Sequence, residues 1–279
     1  MIINSQKRSF GRGAKVSLFT LGTMRATESL EKMYSIIKNA YYVGINHIET
    51  APSYGDAESL IGNSIKKLAI EENIKEKNWV ITSKVLPKGD FDFLKNNFKK
   101  SLKNLNREKI NNLAIHGLNL KQHLDWVLAG EGKKFISWIL EKELVDQVGF
   151  SSHGSYSLIK DAINCEVFTF CSLHLHYLDQ SKIALAEEAI KKGMGVLAIS
   201  PADKGGRLYS PSDILIEASK PFHPLELAYR FLLAKGITTL SLGATNKKDF
   251  EFAHKLRNSF EKLTKLEKSA LNKIEEVSN

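Results

Sequence analysis

The feature that most constrains this chain is a regular alternation of short β-branched runs with longer helical patterns. SLFTLGT (17–23) precedes a helix over Glu28–Val43, in which Met33, Ile36, Ile37 and Ala40 share one face. INHIET (45–50) precedes a helix over Asp56–Ala69, WVITSKV (79–85) one near Phe91–Leu105, and INNLAIH (110–116) helical stretches through Glu141. LVDQVGFS (144–151) leads to Tyr156–Ile163, and EVFTFCSLH (166–174) to Lys182–Lys192. GVLAIS (195–200) is followed by a loop and a helix over Pro224–Ala234, and ITTLSLG (237–243) by a helix over Lys248–Leu256. Strands buried on both faces and separated by helices pair in parallel through right-handed crossovers. Eight such units in 279 residues predict an α/β fold, a closed (β/α)8 TIM barrel rather than a doubly wound sheet. KRSFGRGAKVSLF, ahead of the first unit, reads as a β-hairpin with Gly11 and Gly13 near its turn, placed to plug the barrel floor. Thr264–Val277 reads as an extra C-terminal helix. With no Pro/Ser-rich linker, residues 1–279 are expected to form one barrel domain.

Composition narrows the class further. The 43% hydrophobic content fills a large core, and no run of ~18 or more apolar residues is present to span a bilayer. The opening MIINSQKRSFGRGAK lacks the apolar stretch of a signal peptide, and two cysteines are too few for a disulfide framework. A cytoplasmic chain is therefore expected, without a membrane partner. The net charge of +9 comes mostly from lysines scattered over helices, such as Lys66–Lys67, Lys99–Lys100 and Lys191–Lys192. Nucleic-acid surfaces favour arginine forks and interleaved aromatics, so no nucleic-acid partner is expected.

A barrel carries its chemistry at the C-terminal ends of its strands. Glu49 and Tyr54 follow the second run, Lys84 ends the third and His116 ends the fourth. With GINHIETAPSYGDAESLIG (44–62), ITSKV (81–85), LAIHG (113–117), VGFSS (148–152), ISPADKGGRL (199–208) and SLGATN (241–246), the chain resembles the aldo-keto reductases. IHGLN (115–119), HYLD (176–179) and KKGMGVLAISPADKGG (191–206) are similar to a subgroup that often carries a C-terminal ferredoxin-like domain, for which the cysteines are lacking here. The resemblance implies hydride transfer between a nicotinamide cofactor and an aldehyde or ketone, with a small-molecule carbonyl as partner and a monomer as the expected state. Carbonyl reduction develops negative charge on oxygen and needs a placed proton donor. The resemblance gives that role to Tyr54, with Lys84 lowering its pKa, Glu49 holding Lys84, and His116 orienting the carbonyl. Glu49 stands where the family has aspartate, so Lys84 is expected to remain paired, in altered geometry and with reduced turnover.

For the cofactor, the resemblance implies NADP(H), with NAD(H) as the alternative. It places Ser151 and Ser152 at the carboxamide, Ser172 where a glutamine is usual, and Ile199 where an aromatic often stacks. It sets Ser200, Gly205, Gly206 and Arg207 at the pyrophosphate, and Gly243, Ala244, Thr245, Asn246 and Lys247 at an adenosine phosphate. Asp249, where a basic or polar group is frequent, would disfavour a 2′-phosphate, and Ala253 cannot bond adenine. These departures motivate a rival reading, a cofactor-binding barrel with little turnover and a regulatory or sensor role. His174 and His176 lie on one strand face, with Asp203 as a further metal ligand in a third, hydrolytic reading. Similar proteins carry polar residues there without metal, so no metal is assigned. Trp126 reads equally as a border of the substrate mouth or as helix packing.

Overall fold

A computed structural model describes residues 5–278. A two-stranded hairpin, β1 (Lys7–Arg8) with β2 (Val16–Ser17), precedes eight parallel strands. These are β3 (Phe19–Gly22), β4 (His47–Glu49), β5 (Val80–Val85), β6 (Ile110–Ile115), β7 (Val145–Ser152), β8 (Phe170–His174), β9 (Gly195–Ile199) and β10 (Thr239–Leu242). They close in chain order, with β10 hydrogen-bonded to β3. The surrounding helices are α1 (Leu30–Tyr42), α2 (Ala57–Glu71), α3 (Phe91–Asn104), α4 (Lys121–Ala129), α5 (Glu131–Glu141), α6 (Tyr156–Asn164), α7 (Ile183–Lys191), α8 (Asp213–Ser219), α9 (Pro224–Ala234), α10 (Glu251–Leu256) and α11 (Lys265–Ser278). The expected (β/α)8 barrel, hairpin and terminal helix are all present.

Local chemistry explains the helix limits. Ser29 starts α1 by accepting a hydrogen bond from the Lys32 N–H, and Met33, Ile36, Ile37 and Ala40 form its buried stripe. Asp90 and Ser155 cap α3 and α6 in the same way. Pro224 begins α9, where its missing N–H costs nothing. At α11, the Thr264 N–H donates to Glu267 Oε2 at 2.7 Å while Glu267 N–H donates to Thr264 Oγ1 at 3.1 Å. Glu267 also pairs with Arg230 of α9 through a 2.6 Å contact from Nε, both side chains buried, so one carboxylate caps α11 and fixes it to the barrel.

The barrel interior is divided between an apolar group and a polar belt. Phe10, from the hairpin turn, packs with Val16, Val80, Ala114, Phe170 and Leu197 inside the barrel, so the hairpin does plug the floor. Gly11 has φ +59°, and a Cβ there would lie 2.2 Å from Thr169 O, which is why the turn needs glycine. Gln147 Nε2 donates to Phe10 O and to Asn112 Oδ1, both at 2.8 Å. Asn112 Nδ2 donates to Thr82 Oγ1 at 3.0 Å. His47, fully buried, lies 2.7 Å from Thr82 Oγ1 through Nε2 and 2.7 Å from Thr20 Oγ1 through Nδ1. Thr20 in turn meets Thr239 at 2.7 Å. Burial pushes the His47 imidazole down to about 3, so it is neutral and bridges two hydroxyls.

Two sequence expectations are modified. The stretch 17–23 divides, because Val16–Ser17 pairs with the hairpin and only Phe19–Gly22 enters the barrel. The loop expected after β9 contains a short turn of helix and α8, whose start is capped by Ser212. None of the described helices is long and apolar enough to cross a membrane.

Candidate active site

Four predicted residues meet at the C-terminal rim. Glu49 ends β4, Lys84 lies one residue from the end of β5, His116 follows β6, and Tyr54 sits on the loop before α2. Lys84 Nζ, buried, donates to the Tyr54 hydroxyl at 2.9 Å and to Thr50 O at 3.0 Å, and it forms an ion pair with Glu49. All three ammonium protons are thereby directed. The Tyr54 and His116 rings stand edge to face with centroids 6.0 Å apart, and Ser53 Oγ approaches His116 Nδ1 at 3.4 Å. The longer arm of Glu49 therefore still reaches the lysine.

The electrostatics differ from the sequence expectation. Tyr54 is pushed above its ordinary range, first by burial and then by the Glu49 charge, against the downward pull of Lys84. The carboxylate offsets the ammonium that was expected to acidify the tyrosine. His116 is pushed down to about 4 by burial, by Lys84 and by His153, so it stands neutral near pH 7.

Two cavities share Glu49, Tyr54, His153 and Ile199. The first, ≈ 280 Å³, opens toward β3, β9 and β10 and is bordered by Arg25, Ser200, Asp203, Gly205, Gly206, Tyr209 and Gly243. The second, ≈ 460 Å³, is bordered by Lys84, Leu86, His116, Asn119, His123 and Ser151. Beyond Glu49, Tyr54, Lys84 and His116, the expected cofactor residues that border these two cavities are Ser151, Ile199, Ser200, Gly243 and the paired glycines 205 and 206. Ser151 Oγ accepts from the Gly117 N–H at 3.1 Å. Ser152 is fully buried, donates to Leu118 O at 2.6 Å and accepts from the Gly154 N–H at 2.9 Å, so it holds neighbouring loops together. Ser172 is fully buried, its hydroxyl has no hydrogen-bond partner among the described residues, and it borders neither cavity. Arg207 is exposed and donates to Asp203 Oδ2 at 2.8 Å.

The segment after β10 is already occupied by a carboxylate of this chain. Asp249 Oδ2 accepts from the Thr245 N–H at 2.7 Å and Oγ1 at 3.1 Å, and from the Asn246 N–H at 3.1 Å. Ala244 is buried, and Asn246 and Lys247 are exposed outside both cavities. Trp126 packs on α5, where a Cβ on Gly132 would lie 2.3 Å from its ring, and it borders neither cavity. The sequence reading missed Arg25 and His153. Arg25 brings a cation to the first cavity and donates to Gly205 O at 2.9 Å, and His153 borders both cavities. Their signal was position, Arg25 three residues past the end of β3 and His153 directly after β7.

A closed parallel barrel with a tyrosine, a lysine, a carboxylate and a histidine at its C-terminal rim defines a class of barrel oxidoreductases. The Aldo/keto reductase family model matches residues 19–278. The chain belongs to the aldo/keto reductase family and is an NAD(P)H-dependent oxidoreductase. It is 29% identical over 216 residues to an aldose reductase of Encephalitozoon cuniculi, spanning 72% of this chain and 69% of that protein. It is 25% identical over 214 residues to the aldo-keto reductase str7 of Strobilurus tenacellus, spanning 73% of this chain and 61% of that one. The fold matches the holo form of the aldo-keto reductase AKR11C1 from Bacillus halodurans with a TM-score of 0.82 at 19% identity, covering 97% and 96% of the two chains. It also matches the aldose reductase of Schistosoma japonicum with a TM-score of 0.74 at 19% identity, covering 96% and 91%.

Proposed function

We propose that this chain reduces a small aldehyde or ketone by hydride transfer from a nicotinamide cofactor, with Tyr54 as the proton donor. The observation that carries the reading is the 2.9 Å hydrogen bond from Lys84 to the Tyr54 hydroxyl, at the junction of the two cavities. A carbonyl seated in the second cavity would have Tyr54 and neutral His116 beside its oxygen. The cofactor would enter through the first cavity. It would meet Ser200, Arg25 and the paired glycines 205 and 206, and Ile199 would give its ring an aliphatic wall. When bound, the nicotinamide supplies the hydride, and the residues around it position the carbonyl and deliver the proton.

The finer choice of cofactor is between NADP(H), implied by resemblance, and NAD(H). Asp249 supports NAD(H), because its carboxylate already accepts the Thr245 and Asn246 N–H groups and would repel a 2′-phosphate placed against them. Titration of the purified protein with NADH and NADPH, followed by nicotinamide fluorescence, tests this together with turnover on an aldehyde panel. Oxidation of bound NADH by aldehydes is expected. Binding of neither cofactor would sink the reading, and binding without oxidation would favour the sensor role instead.

A further inference from the structure

Beside the cavities, β8 ends at His174, and the chain continues through Leu175 and His176 before it turns back at Asp179. Residues two apart on an extended segment face one way, so both imidazoles project from the same side. An isolated antiparallel bridge joins His176 to Asp179, with the Asp179 N–H donating to His176 O at 3.2 Å, and this turn carries the carboxylate back to the histidines. One ligand atom from each of His174, His176 and Asp179 lies within 4.8 Å of the other two. The histidine rings are 5.0 Å apart, and both are buried while Asp179 is exposed. Ser181 orients that carboxylate, its N–H donating to Oδ1 at 3.1 Å and its hydroxyl at 2.6 Å.

We propose that His174, His176 and Asp179 form a binding site for a divalent transition metal, with zinc the best fit. Tetrahedral zinc, with bonds of about 2.0–2.2 Å to nitrogen and oxygen, needs donor atoms roughly 3.4 Å apart. Closing from the observed spacing takes shifts of about an ångström, within reach of an exposed carboxylate on a turn. Two imidazoles and one carboxylate suit zinc, nickel or copper, whereas magnesium and calcium require oxygen ligands. The three groups leave one coordination position open.

Asp203 has a different part from the ligand role of the hydrolytic reading. Its Oδ1 lies 3.5 Å from His176 Nε2, and Arg207 Nε holds its Oδ2 at 2.8 Å. A carboxylate facing the far nitrogen of a histidine fixes the tautomer of a metal ligand. His176 would then bind the metal through Nδ1. Because Asp203 also borders the first cavity, the ion would place positive charge at that rim. The site does not depend on reductase activity.

The test is calorimetric titration of the chelator-treated full chain with Zn2+, with Mg2+ for comparison, and with Co2+ followed by visible d–d absorption. One Zn2+ per chain and no Mg2+ binding are expected. Asp179→Asn should weaken Zn2+ binding by at least about tenfold, and Asp203→Asn by about 10- to 100-fold. The double variant His174→Gln/His176→Gln should lose stoichiometric binding, and the exposed His254→Gln should bind as wild type. Near-ultraviolet circular dichroism verifies that each variant is folded. Unchanged Zn2+ affinity in the folded double variant overturns the proposal. So does the absence of a Co2+ d–d band in the wild-type chain, which decides the matter even where a variant fails to fold.

Discussion

The Tyr54 hydroxyl accepts a hydrogen bond from the Lys84 ammonium at 2.9 Å, while Glu49 forms an ion pair with the same ammonium. Replacing Tyr54 by Phe removes the proposed proton donor but little of the cavity wall. Tyr54→Phe is expected to lower kcat for aldehyde reduction by about 10²- to 10⁴-fold. Cofactor dissociation constants from fluorescence titration should remain near wild type. Retained turnover would move the acid role to another group.

The upward displacement of Tyr54 has a pH signature. In the proposed reaction the neutral phenol donates, so the reduction rate should hold through neutral pH and fall only above the ordinary tyrosine range. Glu49 disfavours the phenolate, so its neutralisation in Glu49→Gln should move that alkaline limb to lower pH. The kcat–pH profile of the two proteins reads this directly. A limb that stays put or rises would show that Glu49 does not act on Tyr54.

Asp249 predicts a switch in cofactor choice. Asp249→Asn removes the charge while keeping an oxygen to accept from Thr245 and Asn246. NADPH binding should improve relative to NADH by about tenfold, roughly 1.4 kcal/mol. Parallel fluorescence titrations measure the ratio, and an unchanged ratio would separate Asp249 from the adenosine phosphate.

His47 and His116 couple stability to acid. Their folded-state values of about 3 and about 4 lie below the ordinary 6.5, so the unfolded chain binds more protons between those limits. Stability is fully present above about pH 6.5 and is lost as pH falls toward 3 to 4, with His47 contributing on the order of a few kcal/mol. Urea midpoints from pH 7 to pH 4 should fall, and His47→Gln should flatten the slope. An acid slope as steep in that variant would assign the effect elsewhere.

The buried Arg230–Glu267 pair sets the last helix. Breaking one half, as in Glu267→Gln, leaves a buried guanidinium without its counter-charge and should cost about 3–5 kcal/mol. The double change Arg230→Met/Glu267→Leu should recover much of that in chemical denaturation. A double variant as unstable as the single would show that the α11 cap, not the ion pair, carries the loss.

The barrel was legible because β-branched runs and helical stripes have different periods, and because Gly, Ser and Asp mark the boundaries. Glu49, Tyr54, Lys84 and His116 were legible because strand ends converge in a barrel. Less local relations were not. Ser151 and Ser152 were taken together, although a strand turns successive side chains to opposite sides, and only Ser151 reaches a cavity. The nearness of Asp203 to His176 was legible, but that of Asp179 was not, because no pattern in HYLD announces the turn that returns it. The sign of the Tyr54 displacement depends on burial, which spacing does not report. Helix α8 is one short capped turn sequence, hidden inside a long connection.

The plug at Phe10–Gly13 also bears on the order of assembly. Its seat is built from Gln147, Thr169 and Gly195, more than a hundred residues further along the chain. During synthesis the stopper emerges long before there is anything to stop. The floor is completed only after β7, β8 and β9 have left the ribosome, and ring closure waits for β10 to meet β3. A nascent chain halted before Gly195 therefore lacks Leu197 and the last wall of the Phe10 seat, and incomplete packing of this kind leaves apolar surface uncovered.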